Sequence, residues 1–119
     1  MIIYTYHKCS TCTKALRFLE KKGVKNLTIK EITLEPPSLE ELQMQLKYQG
    51  DLLKKLFNTS GQLYRELQLN ERLTEMSIDE ALKLLTQHGM LVKRPFLLGK
   101  NFGFTGFDEK KWSDCKMLQ

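Results

Sequence analysis

The sequence predicts a mixed α/β fold in which a β-α-β unit and a β-β-α unit build one mixed sheet, with a helical insertion between the two units. Three features favour this fold: a strand-like segment followed by a helical apolar repeat near the start, two serine capping boxes in the middle, and two short apolar segments around a turn near the end. A length of 119 residues is typical of one domain. We therefore expect a single domain over residues 1–119, with the insertion at about 37–90.

The first third of the chain is predicted to form strand, helix and strand. Residues 2–6 are β-branched and aromatic, which suits a short buried strand. An apolar row at helical spacing follows, formed by Cys12, Ala15, Leu16 and Leu19. Gly23 is a natural end for that helix. A second strand is predicted by the apolar alternation of Leu27, Ile29 and Ile32, and it should lie parallel to the first, with a right-handed crossover.

Two capping boxes mark helix starts in the middle of the chain, Ser38 with Glu41 and Ser77 with Glu80. The inward rows of these two helices are predicted to be Leu39, Leu42 and Leu46 in the first, and Ile78, Ala81, Leu82 and Leu85 in the second. Between them, residues 52–57 predict a helical hairpin and residues 63–67 another helical turn. Gly89 should end the last helix of the insertion.

The last part of the chain predicts a hairpin and a short helix. Residues 95–98 and 102–104 are strand candidates around the turn at 99–101, and a final helix starts at Asp108. Trp112 is expected to be a packing anchor for that helix. The resulting order, β-α-β and then β-β-α, predicts a thioredoxin-like fold.

Composition restricts the functions that can be considered. The net charge of +5 fits anionic substrates or a negatively charged partner, or serves solubility alone. Lysines and acids are interleaved along the chain, so no direct nucleic-acid binding is predicted. No apolar segment is long enough to span a bilayer, and the first residues do not resemble a secretory signal. We expect a cytoplasmic monomer that does not bind membranes.

The pair Cys9 and Cys12, separated by Ser10 and Thr11, is the motif that indicates chemistry. A C-x-x-C at the junction of a strand and a helix is typical of thiol–disulfide redox proteins. The free N–H groups and the dipole of the helix start favour a thiolate at Cys9. Cys12, one turn along the inward row, should be the buried resolving thiol. The N–H groups of Ser10 and Thr11 are predicted to face the thiolate or a bound oxyanion.

Two other interpretations of these cysteines remain open. They are half of a zinc site if Cys115 and His7 complete it, although zinc sites have four ligands and no second C-x-x-C is present. They are otherwise two unreactive thiols. The sequence favours neither, and no metal or organic cofactor is predicted. Cys115 is expected to be buried or incidental, and His7 and His88 to be structural or solvated.

Several segments in one order resemble the arsenate reductase (ArsC)/Spx family, and its arsenate reductase-like branch in particular. These segments are residues 6–15 around the cysteines, residues 57–61 leading into 64–67, and Lys93-Arg94-Pro95. The resemblance covers essentially the whole chain. It implies a thioredoxin-like fold with a helical insertion, and a cis bond between Arg94 and Pro95 that faces the cysteine loop. Arg94 and Pro95 are thereby implied to bind an anion or substrate near Cys9.

The resemblance implies three functions in competition. The first is a thiol–disulfide oxidoreductase whose electron donor is a thioredoxin, a glutaredoxin or a low-molecular-weight thiol. The second is an Spx-like redox-sensing regulator that binds the RNA polymerase α subunit. The third is arsenate reductase proper, which holds the oxyanion with three arginines. Only Arg94 matches those arginines, since Asn58 and Gly106 stand at the other two positions, so we expect little arsenate turnover.

Overall fold

The structure is a computed structural model that describes residues 1–118. Its centre is a four-stranded mixed sheet with the strand order β2-β1-β3-β4. The strands are β1 (Ile2–Thr5), β2 (Thr28–Glu31), β3 (Phe96–Gly99) and β4 (Phe102–Thr105). β1 and β2 pair in parallel, and β1–β3 and β3–β4 pair antiparallel. The mixed α/β fold and its thioredoxin-like β-α-β and β-β-α order are therefore confirmed.

Six helices accompany the sheet within residues 1–118. They are α1 (Ser10–Lys21), α2 (Leu39–Tyr48), α3 (Gln62–Glu66), α4 (Leu69–Arg72), α5 (Ile78–Gln87) and α6 (Glu109–Asp114). Three 3-10 turns, Leu53–Leu56, Gly89–Leu91 and Lys116–Leu118, complete the regular structure of residues 1–118. α1 connects the parallel strands, and α2 to α5 lie between β2 and β3 in the chain.

Each face of the sheet has its own hydrophobic core, because neighbouring side chains of a strand point to opposite faces. In β1, Ile3 belongs to a core with α1 and α6, whereas Tyr4 belongs to the core with α2 and α5. Trp112 is only 1% exposed and packs its ring against Phe104 and Phe107. Its predicted role as a packing anchor is confirmed.

Local signals located the helix ends well. Both capping boxes form: the hydroxyls of Ser38 and Ser77 accept from the N–H groups of Glu41 and Glu80, and both glutamates reach back to the cap. α1 ends just before Gly23, whose φ of 71° suits glycine at this position. Helix α6 begins directly after Asp108, as predicted.

Some predicted inward positions are wrong. Ile29 is 55% exposed because β2 is an edge strand of the sheet. Leu39 and Ile78 are exposed because each is the first residue of its helix, and the buried residues of both helices begin three positions later. The predicted hairpin at 52–57 is a single 3-10 turn, and Leu52 is exposed.

A buried amide ties α2 to the β3–β4 hairpin. The Gln45 side chain is fully buried, and its Nε2 donates to the carbonyls of Leu97 (2.9 Å) and Phe104 (3.2 Å). Gln49, one turn on, donates to Gln45 Oε1 (3.1 Å) and to the Gly103 carbonyl (3.0 Å). A buried amide is tolerated where its groups are paired, so this network holds the insertion in place on the sheet.

Candidate functional site

Cys9 caps helix α1 with its own sulfur. The loop after β1 closes with a hydrogen bond from the Cys9 N–H to the Tyr6 carbonyl (3.0 Å). Cys9 has extended backbone angles, and its Sγ accepts from the N–H of Cys12 (3.3 Å). A helix N-cap with an acceptor side chain satisfies one of the free N–H groups of the first turn. The cap therefore directs an N–H donor and the positive end of the helix dipole at this sulfur.

The two thiols differ in exposure and in acidity. Cys9 is half-buried, and Cys12 is 2% exposed. Burial raises the pKa of the Cys12 thiol to about 12, and a hydrogen bond between the two thiols acts in the same direction. A hydrogen bond with the Tyr6 backbone and, to a smaller extent, the Arg94 charge lower the pKa of Cys12, but they do not outweigh burial. At neutral pH Cys12 is therefore a protonated thiol beside the more accessible Cys9, which gives the two sulfurs the unequal burial expected from the sequence.

The raised pKa of Cys12 predicts a loss of stability at alkaline pH. In the unfolded chain this thiol ionises near its ordinary value of 9.0, whereas in the folded chain it keeps its proton to about pH 12. Its contribution to stability is complete below pH 9 and is lost as the pH rises towards 12. We expect the stability difference between wild type and Cys12→Ala to change by about 1.4 kcal/mol between pH 8 and pH 10. Urea denaturation under reducing conditions measures it, and a pH-independent difference would contradict the prediction.

Glu31 fastens the loop that precedes Cys9 to the end of β2. Its Oε1 accepts from the His7 N–H (2.9 Å) and lies 2.7 Å from His7 Nδ1, and Oε2 accepts from the Thr33 N–H (3.4 Å). Partial burial raises the pKa of Glu31, but the hydrogen bonds from His7 and Thr33 outweigh it and hold the pKa below its ordinary value. His7 is exposed and hydrogen-bonded to Glu31, and His88 is exposed.

Arg94 and Pro95 lie at the entry to β3, and the bond between them is cis, as the resemblance implied. The guanidinium Nη1 donates to the Met90 carbonyl (3.2 Å), and its carbon lies 5.1 Å from the centre of the Tyr6 ring. Tyr6 belongs to the loop that carries Cys9, so Arg94 contacts the cysteine loop through this ring. Pro95 is buried, and its carbonyl accepts from the Gly106 N–H (2.8 Å).

Ser10 and Thr11 are the first two residues of α1, and both are exposed. Thr11 forms part of the wall of a cleft of about 470 Å³, together with Arg94. Of the residues predicted for the site, the cleft thus joins Thr11 from the first turn of α1 and Arg94 from the entry to β3. Its lining also includes aromatic residues, namely Phe57, Phe104, Phe107 and Trp112.

Five cations surround this opening, which we call the cationic cleft: Lys54, Lys55, Lys93, Arg94 and Lys111. Sequence analysis found only Arg94, because the lysines come from three separate segments and no local spacing connects them. The structure also explains Gly106, where the family resemblance suggested an arginine. Gly106 has a φ of 75°, and a Cβ there would lie 3.2 Å from the Lys93 side chain. Lys93 therefore occupies the space above this glycine.

No set of three or more His, Cys, Asp or Glu side chains within residues 1–118 is arranged to hold a metal ion. Cys115 is half-buried and packs against the core that contains Trp112, which agrees with its expected incidental place. Among the same residues, no helix has the length and apolarity that a bilayer crossing demands. All three cysteines are free thiols.

Comparisons with known proteins agree with this architecture. The chain is 45% identical over 114 residues to the uncharacterized protein YusI of Bacillus subtilis (strain 168), covering 96% of each chain. The solution structure of SACOL0876 from Staphylococcus aureus COL is 37% identical, with a TM-score of 0.84 over 97% of both chains. Global transcriptional regulator Spx 2 of Bacillus anthracis is 25% identical over 93% of this chain and 82% of its own. The model of the ArsC family matches residues 4–115, and the chain therefore belongs to the ArsC family.

Proposed function

We propose that this protein is a thiol–disulfide redox protein in which Cys9 attacks a substrate sulfur and Cys12 resolves the product. The observation that supports it best is the inequality of two neighbouring thiols, one capping a helix and half-exposed, the other buried with a pKa of about 12. A nucleophile needs access and a stabilised anion, and a resolving thiol needs proximity and protection. The cap position and accessibility of Cys9 and the burial of Cys12 support these two roles.

The oxidative half of the cycle has two steps. The Cys9 thiolate attacks one sulfur of a substrate disulfide, forms a mixed disulfide and releases one substrate thiolate. Cys12 then gives its proton to that thiolate or to water and attacks the Cys9 sulfur, which forms the Cys9–Cys12 disulfide and releases the second substrate thiol. The protein loses two electrons and the substrate gains two. A thioredoxin, a glutaredoxin or a low-molecular-weight thiol would return them in the reverse direction.

We assign Arg94 a part in the second step. Its charge lowers the pKa of Cys12 and so opposes the effect of burial. Stacking on Tyr6 and hydrogen bonding to Met90 hold the guanidinium in place without an acidic partner among the contacts that the structure gives it. The cation thereby favours ionisation of Cys12 when the mixed disulfide must be resolved.

Mild oxidation tests the claim that Cys9 and Cys12 can form an internal disulfide. We expect treatment with one equivalent of a small disulfide to give an internal Cys9–Cys12 bridge, seen after alkylation as a protein with one alkyl group, where the reduced protein with its three cysteines takes three. Peptide mapping must place the single alkyl group on Cys115. Bridging that instead involves Cys115, or a mixed disulfide that persists at Cys9 while Cys12 stays free, would reject the proposal.

A second candidate function is that of a redox-sensing regulator. It is favoured by the similarity to Global transcriptional regulator Spx 2 over 93% of this chain. In this case the Cys9–Cys12 pair would act as a switch, and the RNA polymerase α subunit would be the partner. A pull-down with the C-terminal domain of that subunit, under reducing and oxidising conditions, separates this function from a catalytic cycle.

A further inference from the structure

We propose that a further cavity, which lies in the helical insertion, binds an α-amino acid with a polar side chain. This inference goes beyond the proposed function, because none of the residues that line the cavity belongs to α1 or to the loop before it. The cavity measures about 420 Å³, which is the size of a small-molecule site. We call it the α3–α4 cavity, and its lining residues are all polar: Thr59, Tyr64, Arg65, Gln68, Asn70 and Glu71.

The hydroxyl of Tyr64 is the first indication of a ligand. Tyr64 is 3% exposed, and within residues 1–118 its Oη is the one buried side-chain nitrogen or oxygen atom without a hydrogen-bond partner. Burial raises the pKa of this phenol. The ring packs edge-on against the ring of Phe57, with 6.1 Å between the centroids, and this contact does not require the hydroxyl. Because buried polar groups are normally paired, an orphaned hydroxyl in the lining of a cavity favours a polar ligand there.

Two opposite charges in the lining indicate which groups that ligand carries. Arg65 and Glu71 both line the cavity, yet neither takes part in an ion pair within residues 1–118. The guanidinium Nη1 of Arg65 donates to the Ser60 carbonyl (3.1 Å), which holds the cation in place and leaves its other N–H groups available to a ligand. A molecule with both a carboxylate and an ammonium group pairs with the two charges at once, whereas a simple anion or cation leaves one of them unpaired.

The remaining lining favours a ligand whose side chain forms hydrogen bonds. Gln68 and Asn70 contribute two amides, and no aliphatic side chain of the described residues lines the cavity. Gln68 precedes α4 with a φ of 53°, in the left-handed region that is uncommon for residues other than glycine, and its side chain does not cap the helix. Strained backbone of this kind is concentrated at ligand sites. The Gln68 amide is thus available to a ligand rather than used by the fold.

Titration of the reduced protein with L-glutamine tests the proposal. This probe carries an ammonium group, a carboxylate and a side-chain amide. We expect the backbone amide resonances of Gln68 and Asn70 to shift with a Kd of about 1 mM or below. N-acetyl-L-glutamine, which lacks the ammonium group, and L-glutamine α-amide, which lacks the carboxylate, should each bind about tenfold more weakly. No shift at about 20 mM L-glutamine, or equal binding of the three compounds, would overturn the proposal.

Two variants with matched controls test the charges. Arg65→Gln and Glu71→Gln should each raise the Kd for L-glutamine about tenfold. Arg72→Gln is the control for the first, because Arg72 also donates through Nη1 to a carbonyl five residues earlier, that of Leu67 (3.0 Å), but does not line the cavity. Glu75→Gln is the control for the second, since Glu75 is an exposed acid outside the cavity. An equal effect of each variant and its control would contradict a site in the cavity.

Tyr64→Phe separates binding from folding. The variant keeps the ring and removes only the orphaned oxygen, so the midpoint of urea denaturation should not fall. The Kd for L-glutamine should nevertheless rise about fivefold, because the ligand loses a buried hydrogen bond. A lower midpoint together with an unchanged Kd would show that the hydroxyl serves the fold, and the proposal would then be wrong.

Discussion

Replacing Cys9 with serine is expected to lower the rate of thiol–disulfide exchange by at least about a hundredfold. The serine keeps a cap oxygen for α1, so the helix start should remain intact. The remaining motif thiol, Cys12, has a pKa of about 12 and is 2% exposed. At neutral pH its thiolate fraction is roughly a thousandfold or more below that of an ordinary thiol, and the greater nucleophilicity of a basic thiolate recovers only part of this difference.

The opposite variant should stop the reaction halfway. In Cys12→Ser, Cys9 still attacks, but no neighbour resolves the product, so a mixed disulfide should accumulate at Cys9. Both variants are prepared in a Cys115→Ser background, because the half-buried third thiol would otherwise add its own adducts. Rates of adduct formation with bis(2-hydroxyethyl) disulfide are followed by mass spectrometry. Equal rates for the two variants would show that the roles assigned to the two cysteines are wrong.

Gly89→Ala is expected to cost about 3 kcal/mol of folding free energy, the largest effect on stability that we predict. A Cβ on Gly89 would lie 2.1 Å from the carbonyl oxygen of Ile32. The oxygen belongs to the backbone and a Cβ is fixed to the Cα that carries it, so no side-chain rotation relieves this contact. The 3-10 turn Gly89–Leu91 would have to separate from the end of β2, which displaces the buried Leu91.

Gly50→Ala is the matched control for this effect. Gly50 has a φ of 66°, and a Cβ there would meet no atom within 4 Å. Only backbone strain opposes the added methyl group, and we expect a loss of about 1 kcal/mol. Urea denaturation of both variants measures the two losses. A loss for Gly89→Ala no greater than that for Gly50→Ala would show that the Gly89–Ile32 contact does not limit the fold.

The parts of the fold that follow from neighbours in sequence were predictable. The capping boxes at Ser38 and Ser77 involve groups three residues apart, and the cap at Cys9 follows from the strand-to-helix junction. The burial of particular side chains was harder to predict, because it depends on which other helices or strands pack against a given element. Ile29 stands in an alternating apolar and polar pattern that is typical of a buried strand residue. Its side chain is nevertheless exposed, because β2 lies at an edge of the sheet.

The same distinction applies to the site. Cys9, Ser10, Thr11 and Cys12 form one local motif, and a family resemblance added Arg94 and Pro95. The cationic cleft had no signal in the sequence, because Lys54 and Lys111 are far apart in the chain and each resembles an ordinary solvated lysine. Only the docking of the insertion against the β3–β4 hairpin and α6 brings them to one opening.

The buried amide of Gln45 has a consequence for recognition. Lys54 and Lys55 follow α2 in the chain, while Lys93 and Lys111 flank the hairpin to which Gln45 fastens that helix. The separation between the two groups of cations is thus set by hydrogen bonds in the interior rather than by flexible surface segments. Because the backbone segments that carry the cations are already held in place, an anionic ligand would not have to order them, and less free energy would be lost on binding.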